Sequence, residues 1–323
     1  MYDLVIVGGG PGGVAAGVYA ARKKIKTVLV TDTFGGQSLV SDEIGNWIGD
    51  VKISGFDLAQ KLEAHLKAHP DIEIDEGDLV TGISTIPVTE GALESSYEVG
   101  LRKFEVKTKN GKTFETKTVL LTSGSSRKRL NIPGEKEYEG HGVVFCSTCD
   151  APLFGGKDTV VVGGGNSALE AVADLLPYAN SVTLLVRSDV LKGDPVTQDE
   201  IKANPKVRII FNGEAQEVTG DGKMVSGVKY LDKASGEIKN LPVQGVFVEV
   251  GSIPNSELVK GKVDIDNMNE IVVDHKTQKT SLLGIWAAGD VTDVLYKQNN
   301  ISVGDSVKAV LNIYDYLRGV DRS

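Results

Sequence analysis

Two glycine-rich segments of the same pattern constrain the fold of this chain most. Residues 8–13 read Gly-Gly-Gly-Pro-Gly-Gly, residues 163–168 read Gly-Gly-Gly-Asn-Ser-Ala, and each segment follows a short apolar run. A helical pattern and a second apolar run come after each segment, as in a strand–helix–strand unit of a parallel sheet. Two copies of this unit predict an α/β protein with two doubly wound domains.

The links between the two copies predict how the domains are connected. No Ser/Gly-rich linker is present. The candidate points at which the chain passes from one domain to the other are short, at residues 125–129 and 251–255. If the chain passes between the domains at both points, the second domain is inserted into the first. We therefore expect residues 1–126 and 252–323 to form one discontinuous domain and residues 127–251 to form the other.

The first glycine segment fits the G-x-G-x-x-G pattern of dinucleotide-binding proteins. Gly8 would make the tight turn, Gly10 would let the backbone approach a pyrophosphate, and Gly13 would allow close packing of helix on strand. The helix would begin at Pro11, so that its N-terminus faces the negative charge. Asp32 follows at about the distance, roughly 20 residues, at which an acidic residue binds the ribose hydroxyls.

The second glycine segment fits the variant of this pattern that ends in alanine. Gly163 and Gly165 take the same roles as the first two glycines, and the helix would open with Asn166, Ser167 and Ala168. The sequence thus predicts two Rossmann-like, three-layer dinucleotide-binding domains.

The residues after the next predicted strand bear on which nucleotide the second domain binds. Arg187, the hydroxyl of Ser188 and Lys192 form a partly cationic group that suits the 2′-phosphate of NADPH. Asp189 could instead bind the ribose of NADH, and the cations could be ordinary solvated charges. The pattern favours NADPH and leaves NADH open.

Both cysteines of the chain, Cys146 and Cys149, lie between the two glycine segments. Zinc needs four ligands, and of the four histidines only His141 is near in sequence. A structural disulfide here would close a very small loop and constrain the unfolded chain little. A redox-active pair is therefore favoured, in which one thiolate attacks and the other resolves. Asp150 could carry a proton for such a pair or could cap a turn.

Charge and composition exclude several other classes of function. The net charge of −9 disfavours nucleic acid and anionic membranes as partners. No signal-peptide pattern and no apolar stretch of membrane-spanning length is present. We expect a cytoplasmic enzyme, in which a close cysteine pair is more often catalytic than structural.

Taken in order, these motifs resemble those of low-molecular-weight thioredoxin reductases and of the reductase portion of the alkyl hydroperoxide reductase flavoprotein. The similarity covers essentially the whole chain. It rests on residues 8–13, 35–37, Asn46, residues 133–135, 146–150, 163–168, 287–290 and 296–298.

The resemblance implies FAD in the first domain and a nicotinamide nucleotide in the second. It implies that Cys149 lies next to the flavin and that Cys146 exchanges with a partner protein. It also implies a homodimer in which the inserted domain rotates between two arrangements. The residues that it places around FAD, besides the first glycine segment, are Gly36, Gln37, Asn46, Gly289, Asp290, Lys297 and Gln298.

The function implied by the resemblance is that of a thioredoxin-disulfide reductase. Electrons would pass from NADPH or NADH through FAD and the Cys146–Cys149 disulfide to thioredoxin or a glutaredoxin-like protein. Because the chain begins at the FAD strand, without a thioredoxin-like extension, we expect the acceptor to be a separate protein. Two alternatives share the fold: a donor such as ferredoxin in place of a nicotinamide nucleotide, and a dithiol oxidase.

Overall fold

The computed structural model describes residues 1–41, 44–86 and 102–320, which form two compact units. The first unit comprises Met1–Leu39, Trp47–Ser126 and Ile253–Ser323, within the described residues. The second unit comprises Val40–Asn46 and Arg127–Ser252.

The strands are β1 (Tyr2–Gly9), β2 (Thr27–Phe34), β3 (Ile72–Glu76), β4 (Val80–Ile86), β5 (Lys103–Thr108), β6 (Thr113–Leu121), β7 (Ser125–Arg127), β8 (Val143–Val144), β9 (Asp158–Val162), β10 (Ser181–Leu185), β11 (Val207–Ile210), β12 (Gly213–Gly220), β13 (Val225–Asp232), β14 (Glu237–Pro242), β15 (Gly245–Val248), β16 (Ser252–Pro254) and β17 (Ile285–Ala287). The α-helices are α1 (Pro11–Arg22), α2 (Gly55–Lys67), α3 (Ser147–Asp150), α4 (Asn166–Leu175), α5 (Pro195–Ala203) and α6 (Asn299–Leu317).

The first unit is built on a sheet with the strand order β3-β2-β1-β6-β5-β4, in which β17 also pairs with β6. Strands β1, β2, β3, β6 and β17 pair in parallel, whereas β4, β5 and β6 pair antiparallel. Alternate residues of β1 point to opposite faces of the sheet. Leu4 and Ile6 join one core with α1 and α6, and Val5 and Val7 join the core on the other face. A central strand covered on both faces explains the uninterrupted apolar run in the sequence.

Helices α1 and α6 pack closely because α1 begins with small residues. A Cβ atom on Gly12 would lie 2.7 Å from Ser306 Oγ and 3.2 Å from the carbonyl oxygen of Ser302. Only a glycine leaves room for this approach. The N-terminus of α6 is thereby held beside the N-terminus of α1.

The second unit contains a five-stranded parallel sheet, β11-β10-β9-β15-β8, and a three-stranded antiparallel sheet, β12-β13-β14. Helix α4 connects β9 to β10 as a crossover between parallel strands. Its buried residues, including Ala168 and Leu169, pack with Val161 of β9 and Leu184 of β10. The parallel sheets in both units confirm the predicted α/β fold with two Rossmann-like domains.

Two short strands, β7 and β16, pair in a sheet of their own. They contain one pair of junctions between the units, at residues 126–127 and 252–253, and a second pair encloses Val40–Asn46. Over the described ranges, no helix has both the length and the hydrophobicity needed to cross a membrane.

Candidate nucleotide and dithiol sites

The first glycine segment forms the turn between β1 and α1. Gly8 has φ +109°, and a Cβ atom there would lie 2.5 Å from the carbonyl oxygen of Thr122. A Cβ atom on Gly13 would lie 1.8 Å from the carbonyl oxygen of Gly8. By contrast, a Cβ atom on Gly10 would meet no atom within 4 Å. The outer two glycines therefore serve packing, while Gly10 leaves the approach to the helix N-terminus open, as a phosphate group requires.

Other residues predicted to bind FAD lie close to this turn. Pro11 is the first residue of α1. A Cβ atom on Gly36 would lie 3.4 Å from Gly10 Cα, so the segment after β2 adjoins the glycine turn. Asp32 is exposed within β2. The Gln37 side chain donates a hydrogen bond to the backbone oxygen of Ser125 and is therefore fixed within the first unit.

The Gly289-Asp290 turn contacts the first turn of α6. Gly289 has φ +75°, and a Cβ atom there would lie 2.7 Å from Ser302 Oγ. Ser302 donates a hydrogen bond of 3.3 Å to Asp290 Oδ1. Ser302 also adjoins Gly12 of α1. The structure thus brings Asp290 and the first glycine segment to the same end of the first unit.

Lys297, Gln298 and Asn46 are also predicted to bind FAD, and their roles at the flavin stay predictions. The ammonium group of Lys297 forms an ion pair of 2.9 Å with Glu270 and donates a hydrogen bond to the backbone oxygen of Thr292. Gln298 is the N-cap residue of α6. Asn46 clusters with the second unit, so its place against the flavin stays a prediction.

The second glycine segment repeats this construction between β9 and α4. A Cβ atom on Gly163 would lie 2.3 Å from the carbonyl oxygen of Glu249 and 2.8 Å from Cβ of Ala168. A Cβ atom on Gly165 would meet no atom within 4 Å. Asn166 Oδ1 accepts a hydrogen bond of 2.7 Å from the backbone N–H of Asp194. Gly163 therefore serves packing and Gly165 leaves the helix N-terminus open, as Gly8 and Gly10 do in the first unit. This arrangement suits the pyrophosphate of a second dinucleotide.

The group predicted to bind a 2′-phosphate follows β10. Arg187 and Lys192 are both exposed, and Ser167 lies on the first turn of α4. The backbone N–H of Lys192 donates a hydrogen bond of 2.7 Å to the carbonyl oxygen of Gly164, which fixes Lys192 beside the glycine turn. The Ser188 hydroxyl donates a hydrogen bond of 2.8 Å to the backbone oxygen of Val190.

The two cysteines form a disulfide bond, with Cα atoms 5.3 Å apart. Cys146 is the N-cap residue of the single-turn helix α3, and its carbonyl oxygen accepts a hydrogen bond of 3.0 Å from the backbone N–H of Asp150. Both cysteines are partly exposed, whereas the Asp150 side chain is buried. A disulfide that is accessible beside a buried carboxyl group is suited to exchange with another protein.

A carboxylate that was not predicted from the sequence holds the cysteine turn. Asp174 of α4 accepts hydrogen bonds from the hydroxyls of Ser147, at 2.8 Å, and Thr148, at 3.2 Å. Glu249, directly after β15, is a second acidic residue that was not predicted from the sequence. Burial raises the pKa of Glu249 from 4.5 to about 7. The only sequence signal for Glu249 was an acidic residue at the end of an apolar strand.

The family model of pyridine nucleotide-disulphide oxidoreductases matches residues 2–306. The chain is 41% identical over 316 residues to the F component of the alkyl hydroperoxide reductase of Pseudomonas putida, covering 98% of this chain and 58% of that protein. It is 40% identical over 317 residues to a Bacillus subtilis (strain 168) protein named NADH dehydrogenase, with the same coverage of 98% and 58%. The chain therefore spans less than two thirds of the length of these relatives.

Among solved structures, the chain is similar to a thioredoxin reductase from Streptococcus pyogenes MGAS5005, with a TM-score of 0.88, 32% identity and 99% coverage of both chains. It is also similar to thioredoxin reductase from T. acidophilum, with a TM-score of 0.63, 36% identity, and coverage of 97% of this chain and 98% of that one. These similarities confirm the resemblance inferred from the motifs.

Proposed function

Because the chain belongs to the pyridine nucleotide-disulphide oxidoreductase family, we propose that it is an FAD-dependent reductase of protein disulfides that takes electrons from NADPH or NADH. The observation that carries this proposal is the Cys146–Cys149 disulfide, which lies in the same compact unit as the second glycine turn. A bound flavin supplies the hydride acceptor and the two-electron reduction of this disulfide.

The residues of the first unit would hold FAD largely through the backbone. The open turn at Gly10 and the N-terminus of α1 would bind the pyrophosphate, and Asp32 would bind the ribose. Asp290 would accept a hydrogen bond from the ribitol chain. In the second unit, Gly165 and the N-terminus of α4 would hold the pyrophosphate of the nicotinamide nucleotide.

The cysteines would transfer two electrons to the partner by two successive exchanges. The Cys146 thiolate attacks one sulfur of the partner disulfide, which releases the other partner sulfur as a thiolate. The Cys149 thiolate then attacks Cys146, so that the Cys146–Cys149 disulfide forms again and the second partner sulfur leaves. Asp150, which is buried beside Cys149, would exchange a proton with the departing sulfur.

NADPH is the donor that the second unit supports first, because Arg187 and Lys192 offer cationic groups beside the glycine turn. NADH is the second candidate. The Ser188 hydroxyl is bound within its own loop, and one relative carries the name NADH dehydrogenase. Steady-state rates with each nucleotide at equal concentration would separate these two donors.

The acceptor that we propose is thioredoxin or a glutaredoxin-like protein, since solved relatives are thioredoxin reductases. We further propose a cytoplasmic homodimer, as in the family that the motifs resemble. Ferredoxin as donor and oxygen as acceptor are the competing hypotheses. A chain that used ferredoxin would oxidise neither nucleotide, and a dithiol oxidase would form peroxide from added dithiols.

Trapping a mixed disulfide tests the proposed roles of the two cysteines. Cys149→Ser should leave Cys146 free to attack and should accumulate a covalent complex with oxidised thioredoxin. Cys146→Ser is the matched control and should accumulate little. The proposed order of exchange would be wrong if Cys146→Ser trapped the partner as well as Cys149→Ser does.

A further inference from the structure

One oxygen of Asp174 accepts hydrogen bonds from both residues that lie between the two cysteines. The Ser147 hydroxyl lies 2.8 Å from Asp174 Oδ2, and the Thr148 hydroxyl lies 3.2 Å from the same atom. Ser147 is buried, whereas Thr148 is exposed. Hydrogen bonds to a charged acceptor are among the stronger ones in proteins. One side chain of helix α4 therefore fastens the segment that joins the two sulfurs.

Helix α4 is a firm support for these hydrogen bonds, because one of its sides is packed into a core. Leu169, Val172 and Leu175 of α4 are fully buried and share that core with residues of β9 and β10. Asp174 directly precedes Leu175 and is partly exposed. Its position is therefore set by the packed helix, and its carboxylate stays available to the cysteine turn (residues 146–150).

The chain on either side of the cysteine turn is also held in place. Phe145, before the turn, is buried in one core of the second unit, and Phe154, after the turn, is buried in the core that includes α4. Within the turn, the backbone N–H of Asp150 donates a hydrogen bond of 3.0 Å to the carbonyl oxygen of Cys146. The hydrogen bonds to Asp174 act on the two middle residues, whose rotation would separate the sulfurs once the disulfide is open.

The disulfide and the hydrogen bonds to Asp174 stabilise one another. An intact disulfide limits the freedom of residues 147 and 148, so that their hydroxyls reach the carboxylate with a smaller loss of conformational entropy. By reciprocity, the same hydrogen bonds keep the opened thiols close together and favour closure of the disulfide. Fixing the backbone of one residue changes an equilibrium constant by a factor of about 5 to 30.

We propose that Asp174 is a positioning residue for the redox pair: through the hydroxyls of Ser147 and Thr148, it keeps the two sulfurs close and stabilises the disulfide relative to the dithiol. The consequence for turnover rests on the proposed disulfide reductase function. In that function, the Cys149 thiolate attacks the Cys146 sulfur to release the partner protein. An ordered segment between the two cysteines makes this attack more frequent.

Equilibration with dithiothreitol measures this stabilisation. The flavin-loaded full chain is held without oxygen in mixtures of reduced and oxidised dithiothreitol, and its free thiols are then alkylated and counted by mass. In this reaction the Cys146–Cys149 bond takes up two electrons and two protons, while dithiothreitol loses them and closes to its cyclic disulfide. Asp174→Ala should shift the equilibrium toward the dithiol by about 5- to 30-fold.

Matched variants separate this anchoring from a change of charge. Asp174→Asn, which keeps an acceptor oxygen without the negative charge, should shift the equilibrium clearly less than Asp174→Ala does. Ser147→Ala combined with Thr148→Val removes both donors and should shift it as far as Asp174→Ala does. Adding Asp174→Ala to that pair should cause no further shift, since the hydrogen bonds are already gone. Glu170→Gln, which changes an exposed carboxylate one turn earlier on α4, should leave the equilibrium unchanged.

The proposal is overturned if Asp174→Ala leaves the equilibrium unchanged, or if Asp174→Asn or Glu170→Gln shifts it equally. Full additivity of the Asp174 and hydroxyl replacements also overturns it. Should Asp174→Ala fail to fold, an unchanged equilibrium in the variant without the two hydroxyls is decisive against the proposal. The measurement needs neither a nicotinamide nucleotide nor a protein partner. A chain that failed to reduce thioredoxin could therefore still show the shift, and a competent reductase could lack it.

Discussion

Replacing Gly165 with alanine separates a role in ligand binding from a role in packing. The residue has φ −97° and ψ −173°, which alanine also adopts, and an added Cβ atom would meet no protein atom within 4 Å. The folded chain should therefore accept the methyl group without strain. Because alanine has less freedom in the unfolded state, we expect stability to stay equal or to rise by about 0.4–1 kcal/mol.

In the proposed site, the same methyl group would stand where the pyrophosphate of the nucleotide approaches the N-terminus of α4. Loss of one charged hydrogen bond costs about 1.5–3 kcal/mol. The dissociation constant for a nicotinamide nucleotide should then rise about 10- to 100-fold. Isothermal titration with the oxidised nucleotide measures binding, and urea unfolding of the same samples measures stability.

Three other glycines provide matched controls for Gly165→Ala. Gly163→Ala should destabilise the fold, since its Cβ atom would lie 2.3 Å from a carbonyl oxygen. Gly304→Ala, at an open position in α6, should leave nucleotide binding unchanged. Gly10→Ala should weaken flavin retention and leave nicotinamide binding unchanged. Nucleotide affinity of Gly165→Ala equal to that of the unmodified chain would refute the assignment of the second site.

Three further predictions concern stability and donor choice. The pKa of Glu249 is about 7 in the folded chain and 4.5 when unfolded, so the free energy of unfolding should fall by at most about 3 kcal/mol as pH rises between these values. Glu249→Gln should make the free energy of unfolding, measured with urea, depend less on pH. An unchanged pH dependence would contradict this prediction. Trp286→Phe removes a partly buried hydrogen bond of 3.1 Å to Asn312 and should cost about 1–3 kcal/mol, seen as a lower urea midpoint. An unaltered midpoint would count against this prediction. Arg187→Ala or Lys192→Ala should raise the KM for NADPH about tenfold and that for NADH little; equal effects would exclude a 2′-phosphate site.

The strand–helix–strand units could be predicted from the sequence because they depend on local patterns. The helix predicted to begin at Pro11 is α1, and the apolar run before it is β1. Small residues at the start of α1 and α4 also have a local cause, since each helix begins against its own strand. Helix α6 begins at Asn299, and its first turn is polar, so apolar periodicity alone does not mark its start.

Contacts between distant residues could not be predicted in this way. Asp174 accepts a hydrogen bond from the hydroxyl of Ser147, 27 residues earlier in the chain, and nothing near either residue indicates the pairing. The ion pair of the Lys297 ammonium group with Glu270 was not predicted either, and the role of Lys297 at the flavin stays a prediction. Helix α2 was also missed, although Leu58, Leu62 and Leu66 lie four residues apart on one face of the helix.

The central claim is that electrons from a nicotinamide nucleotide reach the Cys146–Cys149 disulfide. Counting free thiols after anaerobic addition of one equivalent of NADPH or NADH to the flavin-loaded chain tests it most directly. We expect the nucleotide to be oxidised and two thiols to appear in each chain, because the disulfide joins both cysteines. Oxidation of the nucleotide without new thiols, or no oxidation of either nucleotide, would contradict the claim.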